Sequence, residues 1–207
     1  MSETAKKFLL YLVVAMTFGL FYELVAMLTL ERSGVASFFT SWDAAIPFIP
    51  ETALFYLSLY VLFWLPPILS PAVKYKEFKT MAVATLAVFG ASFVVYLACP
   101  FAYPRPNLVA PQTFYESMVF DFLYRIDCPN NSLPSTHAAV ATLMPLFMIG
   151  KIKAGYAALY AFWGLMIALS TLTVKQHYLL DVISGMALAV IIFFIAARTH
   201  KTKSPRS

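Results

Sequence analysis

The chain has 207 residues, of which 61% are hydrophobic and only 12% are charged. Soluble domains carry about 25% charged residues, so this composition excludes an ordinary soluble protein and indicates a membrane protein with several spans. The formal net charge is +5, but the basic residues do not form one patch, and we expect no nucleic-acid partner.

Six apolar segments predict six transmembrane helices. They lie at residues 8–30, 52–69, 81–99, 135–150, 154–173 and 177–197. The first is too long for the apolar region of a signal peptide. At about 1.5 Å per residue it reaches roughly 34 Å, enough to cross the hydrocarbon core. We therefore expect an all-α membrane bundle that forms a single domain over residues 1–207.

The basic residues fall unevenly on the two sides of a protein with six spans. Four outward-facing ones are Arg32, Arg105, Arg125 and Lys175. The other eleven lie in both termini and in the loops at 70–80 and 151–153. An excess of Lys and Arg marks the cytoplasmic side. We therefore expect both termini in the cytoplasm, in a bacterial inner membrane, with the outward loops on the periplasmic or extracellular side.

The segment between the third and fourth spans predicts a helix at the membrane surface. Its sequence FYESMVFDFLYRI has an amphipathic pattern, with Asp121 and Arg125 four residues apart. We expect this helix to lie along the interface. Cys99 and Cys128 flank the segment. An oxidising exterior permits a disulfide between them, and two separate thiols remain the alternative.

The polar run NNSLPSTH leads directly into the fourth apolar segment. Ser135 after Pro134 predicts a helix start with Ser135 as its N-cap, which places His137 in the first turn. Free amides and the positive end of the helix dipole favour a phosphate there. The alternative is a polar cap at a membrane interface that serves the helix alone.

His177 and Asp181 stand four residues apart at the start of the sixth segment. This spacing lets the carboxylate accept a hydrogen bond from one imidazole nitrogen and leaves the other as a nucleophile or base. The alternative is a structural pair. A charge inside an apolar segment is costly and usually functional. Glu23 in the first segment raises the same question, and there we favour a hydrogen bond to a neighbouring helix or an interfacial position.

Arg105 lies in YPRPN, where a proline on either side stiffens the loop. Its guanidinium suits the oxygens of a phosphate, and binding of lipid headgroups is the alternative. Arg105 and Lys175 map to the same membrane face as both histidines. Together the set can bind a phosphate, attack its phosphorus with one imidazole and protonate the leaving oxygen with the other.

Other site chemistries lack their residues in this sequence. It contains no Cys/His set for zinc, no glycine-rich nucleotide loop and no G-x-S-x-G elbow of a serine hydrolase. We therefore expect no metal and no cofactor. The expected partners are the membrane and a lipid phosphate substrate, and the oligomeric state stays open.

The ordered polar residues resemble the type 2 phosphatidic acid phosphatase superfamily, which shares its core with the vanadium haloperoxidases. The motifs of that family read Lys-x6-Arg-Pro, Pro-Ser-Gly-His and Ser-Arg-x5-His-x3-Asp. Within residues 98–185 the chain keeps, at matching spacing, Arg105 and Pro106, then Pro134, Ser135 and His137, then Ser170, His177 and Asp181.

The resemblance implies a six-helix fold of the phosphatidic acid phosphatase type 2 kind and a role for each matching residue. His177 would form a phosphohistidine, Asp181 would orient it and His137 would be the general acid. The phosphate would be held by Arg105 and by the amides around Ser135 and Thr136.

The chain departs from the family pattern at two cations. Ala98 and Thr171 stand where the family has a Lys and an Arg, and we expect Lys175 to supply one of the missing charges. The stretches YRIDCPNNSLPSTHAA and VKQHYLLDVISG look most like inositol phosphorylceramide synthase and related lipid phosphotransferases. That branch departs at the same two positions.

The predicted function is hydrolysis of a lipid phosphate ester through a phosphohistidine at the outer membrane face. We favour a phosphatase because the chain is short and has no evident acceptor domain. Two alternatives stay open. One is a lipid phosphotransferase that moves a phospho-headgroup to an alcohol, and the other is a non-catalytic carrier that binds lipid headgroups with the same charges.

Overall fold

The computed structural model describes residues 1–30, 32, 37–106 and 111–202. Its α-helices, in chain order, are α1 (Glu3–Thr29), α2 (Ser41–Ala45), α3 (Ala53–Leu57), α4 (Leu59–Leu69), α5 (Tyr75–Ala98), α6 (Phe114–Ser117), α7 (Tyr124–Ile126), α8 (Thr136–Met148), α9 (Ala154–Thr173) and α10 (Leu179–Thr202). A 3-10 turn (Pro50–Thr52) precedes α3, and a π-helical segment (Met118–Leu123) joins α6 to α7. Within these ranges the only β contact is an isolated bridge between Phe101 and Asn131. The predicted all-α class is confirmed.

Four of these helices are long and apolar enough to cross a membrane, namely α1, α5, α9 and α10 as far as Thr199. They correspond to the first, third, fifth and sixth apolar segments, and they support an integral membrane protein. The second segment is divided among the 3-10 turn, α3 and α4, and the fourth forms the shorter helix Thr136–Met148. A 13-residue helix rises only about 20 Å, against about 30 Å of hydrocarbon. The count of six spans and the orientation therefore stay predictions.

The second apolar segment is interrupted between α3 and α4 at Ser58. The Ser58 hydroxyl donates to the carbonyl of Phe55 at 2.7 Å, and it accepts from Nε1 of Trp163 on α9 at 2.8 Å. A serine that bonds back to its own helix tends to bend it. The bend leaves α3 as a separate short helix with a fully buried Tyr56.

The short helix α8 lies in the middle of the bundle. Ten of its 13 residues are buried, because α4, α5, α9 and α10 pack around it. Glycines permit the closest approaches. A Cβ at Gly164 of α9 would lie 2.2 Å from the carbonyl oxygen of Ala141, and one at Gly185 of α10 would lie 2.3 Å from that of Ser135. The start of α8 is therefore pressed directly against α10.

The outer faces of the long helices are apolar and exposed. Leu20 and Met27 on α1 and Phe194 and Ile195 on α10 all leave more than half of their surface uncovered. Scattered exposed apolar side chains are ordinary on any protein, but continuous apolar helix faces fit contact with lipid.

The predicted amphipathic segment at 114–126 is helical throughout. Its Arg125 and Asp121 side chains approach to 4.0 Å on an exposed surface. The helix is thus confirmed, while its position along a membrane interface stays a prediction. Cys99 and Cys128 are both free thiols.

Candidate active site

His177 is presented by the turn that joins α9 to α10. The carbonyl of Thr171 accepts from the amides of Gln176 at 3.0 Å and His177 at 3.2 Å, which closes the turn. The predicted contact is present, since Nδ1 of His177 lies 3.2 Å from Oδ2 of Asp181. The same oxygen accepts from the Tyr178 amide at 3.0 Å. His177 precedes α10 instead of belonging to it, so the turn and not the helix sets its orientation.

His137 lies in the first turn of α8, as predicted. Ser135 is the N-cap, and its hydroxyl accepts from the Ala138 amide at 3.2 Å. The Ser135 amide donates to the backbone carbonyl of Asp181 at 3.0 Å. This bond ties the start of α8 to Asp181, the residue that contacts His177. The two imidazole rings lie 6.0 Å apart between centroids, with their planes at 55°.

Arg105 lies behind the histidines and is held by protein groups. Its guanidinium donates to the carbonyls of Tyr124 at 2.8 Å and Asp127 at 2.7 Å, and to the side-chain oxygen of Gln176 at 2.6 Å. It also stacks 4.5 Å above the Tyr124 ring. Its Nε is buried without a partner. Gln176, and not Arg105, reaches the cleft described below.

The remaining predicted phosphate ligands lie in different places. Ser135 is fully buried, and both its hydroxyl and its amide are used inside the protein. Thr136 lines the cleft between the histidines. Lys175, with a positive φ of 58°, directs its ammonium to the backbone carbonyls of Asp43 and Ile46 on the far side of the turn. The binding of phosphate by Lys175 stays a prediction.

The short helix α2 packs against the turn between α9 and α10. Oδ1 of Asp43 accepts from the amide of Leu179, the first residue of α10, at 2.8 Å. Its other oxygen accepts from the Thr40 amide at 2.9 Å. Burial alone would raise the pKa of Asp43, but hydrogen bonds from the Thr40 hydroxyl and from these two amides hold that pKa below its ordinary value. Burial lowers the pKa of the neighbouring Lys175.

Asp127 is a site residue that sequence reasoning missed. Its Oδ2 accepts a short hydrogen bond from the Tyr56 hydroxyl, and its Oδ1 lies 3.4 Å from the Tyr22 hydroxyl. The Tyr56 ring stacks on His137 with centroids 4.3 Å apart and planes at 29°. An aspartate beside the polar run was the only available signal, because Tyr56 and Tyr22 lie far away in the sequence.

Two adjoining spaces meet at His137. One is a narrow polar cleft of about 10 Å³ whose lining includes both histidines, Asn131 and Gln176. The other is a mostly apolar cavity of about 310 Å³ between α1, α4, α5 and α8, with Phe18, Phe63, Phe89 and Val140 in its walls. Tyr22, Asp127, Thr136 and His137 line both. A polar group in the cleft can therefore be joined to a hydrocarbon chain in the cavity.

The sequence of residues 78–205 matches the family model of the PAP2 superfamily. The chain belongs to the PAP2 superfamily. The matched part covers more than half of the chain and contains Arg105, His137, His177 and Asp181. PAP2 superfamily proteins are generally phosphatases or related phosphoryl-transfer enzymes, which supports an enzyme of that class. A comparison with curated proteins gives no match. The likeness to the inositol phosphorylceramide synthase branch therefore stays a prediction.

Proposed function

We propose that the protein hydrolyses a lipid phosphate ester by way of a phosphohistidine on His177. The observation that carries this proposal is the junction at His137, where the cleft lined by both imidazoles meets the apolar cavity. The polar lining of the cleft suits a phosphoryl group beside His177, and the cleft, which has room for about one water molecule, must widen to admit it. The cavity offers a hydrocarbon chain a place beside His137, and its volume falls at the lower end of the range of ligand pockets.

In the first step His177 attacks phosphorus. The Asp181 carboxylate can only accept a hydrogen bond, so Nδ1 of His177 carries the proton and Nε2 has the free lone pair. The N–P bond forms as the P–O bond to the lipid breaks. In-line geometry places the leaving oxygen opposite the nucleophile, towards His137 and the cavity. The His137 imidazolium gives its proton to that oxygen, and a neutral lipid alcohol leaves.

In the second step His137, now neutral, takes a proton from a water molecule. The water oxygen attacks phosphorus, the N–P bond breaks, and inorganic phosphate leaves while His177 is restored. The same two imidazoles serve both steps in opposite protonation states, as reversibility requires of an acid–base pair.

The charges around the cleft favour a second candidate, a lipid phosphotransferase. Within the described residues, no Lys or Arg side chain lines the cleft or the cavity, and the Asp127 carboxylate lines both. A phosphomonoester dianion is poorly balanced by such a site, whereas a phosphodiester carries a single negative charge. A lipid or polyol hydroxyl would then replace water in the second step.

The decisive experiment is turnover by the detergent-purified protein and its His177→Ala variant. The substrates are phosphatidic acid, phosphatidylglycerol phosphate, a polyprenyl diphosphate and a phosphoinositide headgroup donor, scored for free phosphate and for transferred headgroup. We expect wild-type turnover of at least one substrate, and its loss in His177→Ala.

Each outcome of this experiment separates the candidates. Free phosphate supports the phosphatase, and a transferred headgroup supports the phosphotransferase. Lipid binding without turnover supports the carrier. Wild-type rates in His177→Ala would refute the phosphohistidine mechanism. Radiolabelled phosphate trapped on wild-type protein, stable in base and lost in acid, would identify the phosphohistidine directly.

A further inference from the structure

We propose that Asp127 and Tyr56 are positioning residues that hold His137 for transfer of its proton to the leaving group. Asp127 fixes the Tyr56 hydroxyl, and Tyr56 fixes the imidazole through its ring and its hydroxyl. This inference rests on the function proposed above, because it assigns His137 the role of general acid. It assigns a role to two residues that are not part of the three family motifs.

Three separate elements contribute to this arrangement. Tyr56 comes from α3, Asp127 from the loop after α7, and His137 from α8. The Tyr56 ring covers one face of the imidazole. The Tyr56 hydroxyl lies 3.5 Å from Nδ1 of His137, at the outer limit of a hydrogen bond, and donates to Asp127.

The direction of these hydrogen bonds assigns the nitrogens of His137. Asp127 accepts the Tyr56 hydroxyl proton, so the phenol oxygen faces Nδ1 of His137 as an acceptor. Nδ1 therefore keeps its proton, and Nε2 is the nitrogen that exchanges a proton with the substrate. His177 has the same assignment through its direct contact with Asp181. Each histidine is thus linked to its own carboxylate. His177 contacts Asp181 directly, and His137 is linked to Asp127 through Tyr56.

The electrostatics favour the same role. His137 is half-buried, and burial disfavours the charged imidazolium that a general acid needs. Tyr56 links this ring to the carboxylate of Asp127. Arg105 donates to the backbone carbonyl of Asp127 and not to its carboxylate, so the negative charge remains available to His137.

The test compares two leaving groups on the same hydrocarbon chain. One substrate is an alkyl phosphate, whose strongly basic leaving oxygen needs a proton. The other is a nitrophenyl phosphate carrying that chain, whose leaving group departs without one. We expect Tyr56→Phe and Asp127→Asn each to slow the alkyl phosphate about 10-fold or more, a fraction of the roughly 10²–10⁴-fold effect of a general acid, and to spare the nitrophenyl phosphate.

Three further variants calibrate the comparison. His137→Ala should give the largest split between the two substrates. Asp181→Asn should slow both, because the nucleophile acts on both. Tyr160→Phe is the matched control, since it also removes a buried phenol hydroxyl, one that donates to the Leu62 carbonyl and lines neither space, and its alkyl-to-nitrophenyl ratio should equal that of the wild type.

The outcomes distinguish this inference from the proposed function. If His137→Ala shows no split, the general-acid assignment itself is wrong. If His137→Ala shows the split but Tyr56→Phe and Asp127→Asn slow both substrates in proportion, or slow neither, the positioning role is refuted. Thermal unfolding of each variant in the same detergent identifies loss of fold, and Tyr56→Phe, which keeps the ring, decides if Asp127→Asn does not fold.

Discussion

Replacing Gly185 with alanine would perturb the contact that links the two histidines. A Cβ at this position would lie 2.3 Å from the carbonyl oxygen of Ser135 and 3.3 Å from its amide nitrogen. Both atoms belong to the backbone, so the clash cannot be relieved by rotation of a side chain. The Ser135 amide also holds the carbonyl of Asp181. The added methyl group therefore forces α8 and α10 apart at the point where Ser135 is hydrogen-bonded to Asp181.

The size of the effect follows from the distances. An ordinary Cβ contact begins near 3.4 Å, so the helices must separate by about 1 Å. Overpacking of this kind costs about 1–3 kcal/mol of stability. A misplacement of about 1 Å between reacting groups costs on the order of 10²-fold in rate. We expect Gly185→Ala to lose about 10²-fold in kcat on the best substrate while it still folds.

The assay measures kcat and thermal unfolding in one detergent, with two matched glycine variants. Gly164→Ala creates a similar clash with α8, 2.2 Å from the Ala141 oxygen, but further along the helix. It should lose comparable stability and less activity. Gly155→Ala adds a Cβ with nothing within 4 Å and should behave like the wild type. Equal losses of activity in Gly164→Ala and Gly185→Ala, or wild-type activity in Gly185→Ala, would refute the reasoning.

Two predictions concern charged groups around the turn before α10. If Lys175 supplies a missing phosphate-binding cation, Lys175→Ala must lose about as much turnover as Arg105→Ala; near-normal turnover would contradict this and leave Lys175 as a support for α2. Asp43→Ala removes the acceptor for the first amide of α10 and should lower the free energy of unfolding by about 1 kcal/mol, measured by denaturation. Because the pKa of Asp43 is held below its ordinary value, this contribution is present at neutral pH and is lost as the pH falls through the folded-state pKa. A difference between wild type and variant that persists in strong acid would exclude the carboxylate as its source.

The features that depend on short spacing could be predicted from the sequence. A serine after a proline, followed by an apolar run, predicted the N-cap and the place of His137 in the first turn. The four-residue interval between His177 and Asp181 predicted their hydrogen bond. Such contacts are set by local backbone geometry, which the order of residues largely determines.

Features that depend on the meeting of distant segments could not be predicted in this way. Tyr56 reaches Asp127 because Ser58 bends the second apolar segment, and neither composition nor periodicity indicates that bend. The distribution of basic residues between the two membrane sides placed Lys175 on the same side as the histidines. It carried no information on the direction of the Lys175 ammonium group. That direction depends on the carbonyls of α2. The direction of a side chain depends on what packs around it, and no periodic pattern in the sequence reveals those neighbours.

The shortness of α8 has a consequence for how a substrate is reached. On the predicted topology, the basic residues after α8 hold its far end at the cytoplasmic interface, and about 20 Å of helix leaves its near end some 10 Å below the opposite boundary of the hydrocarbon. The scissile bond would then be met inside the leaflet. A lipid would enter laterally from the bilayer without leaving it. Water would instead have to enter the membrane, through a narrow polar passage, to reach the reactive centre.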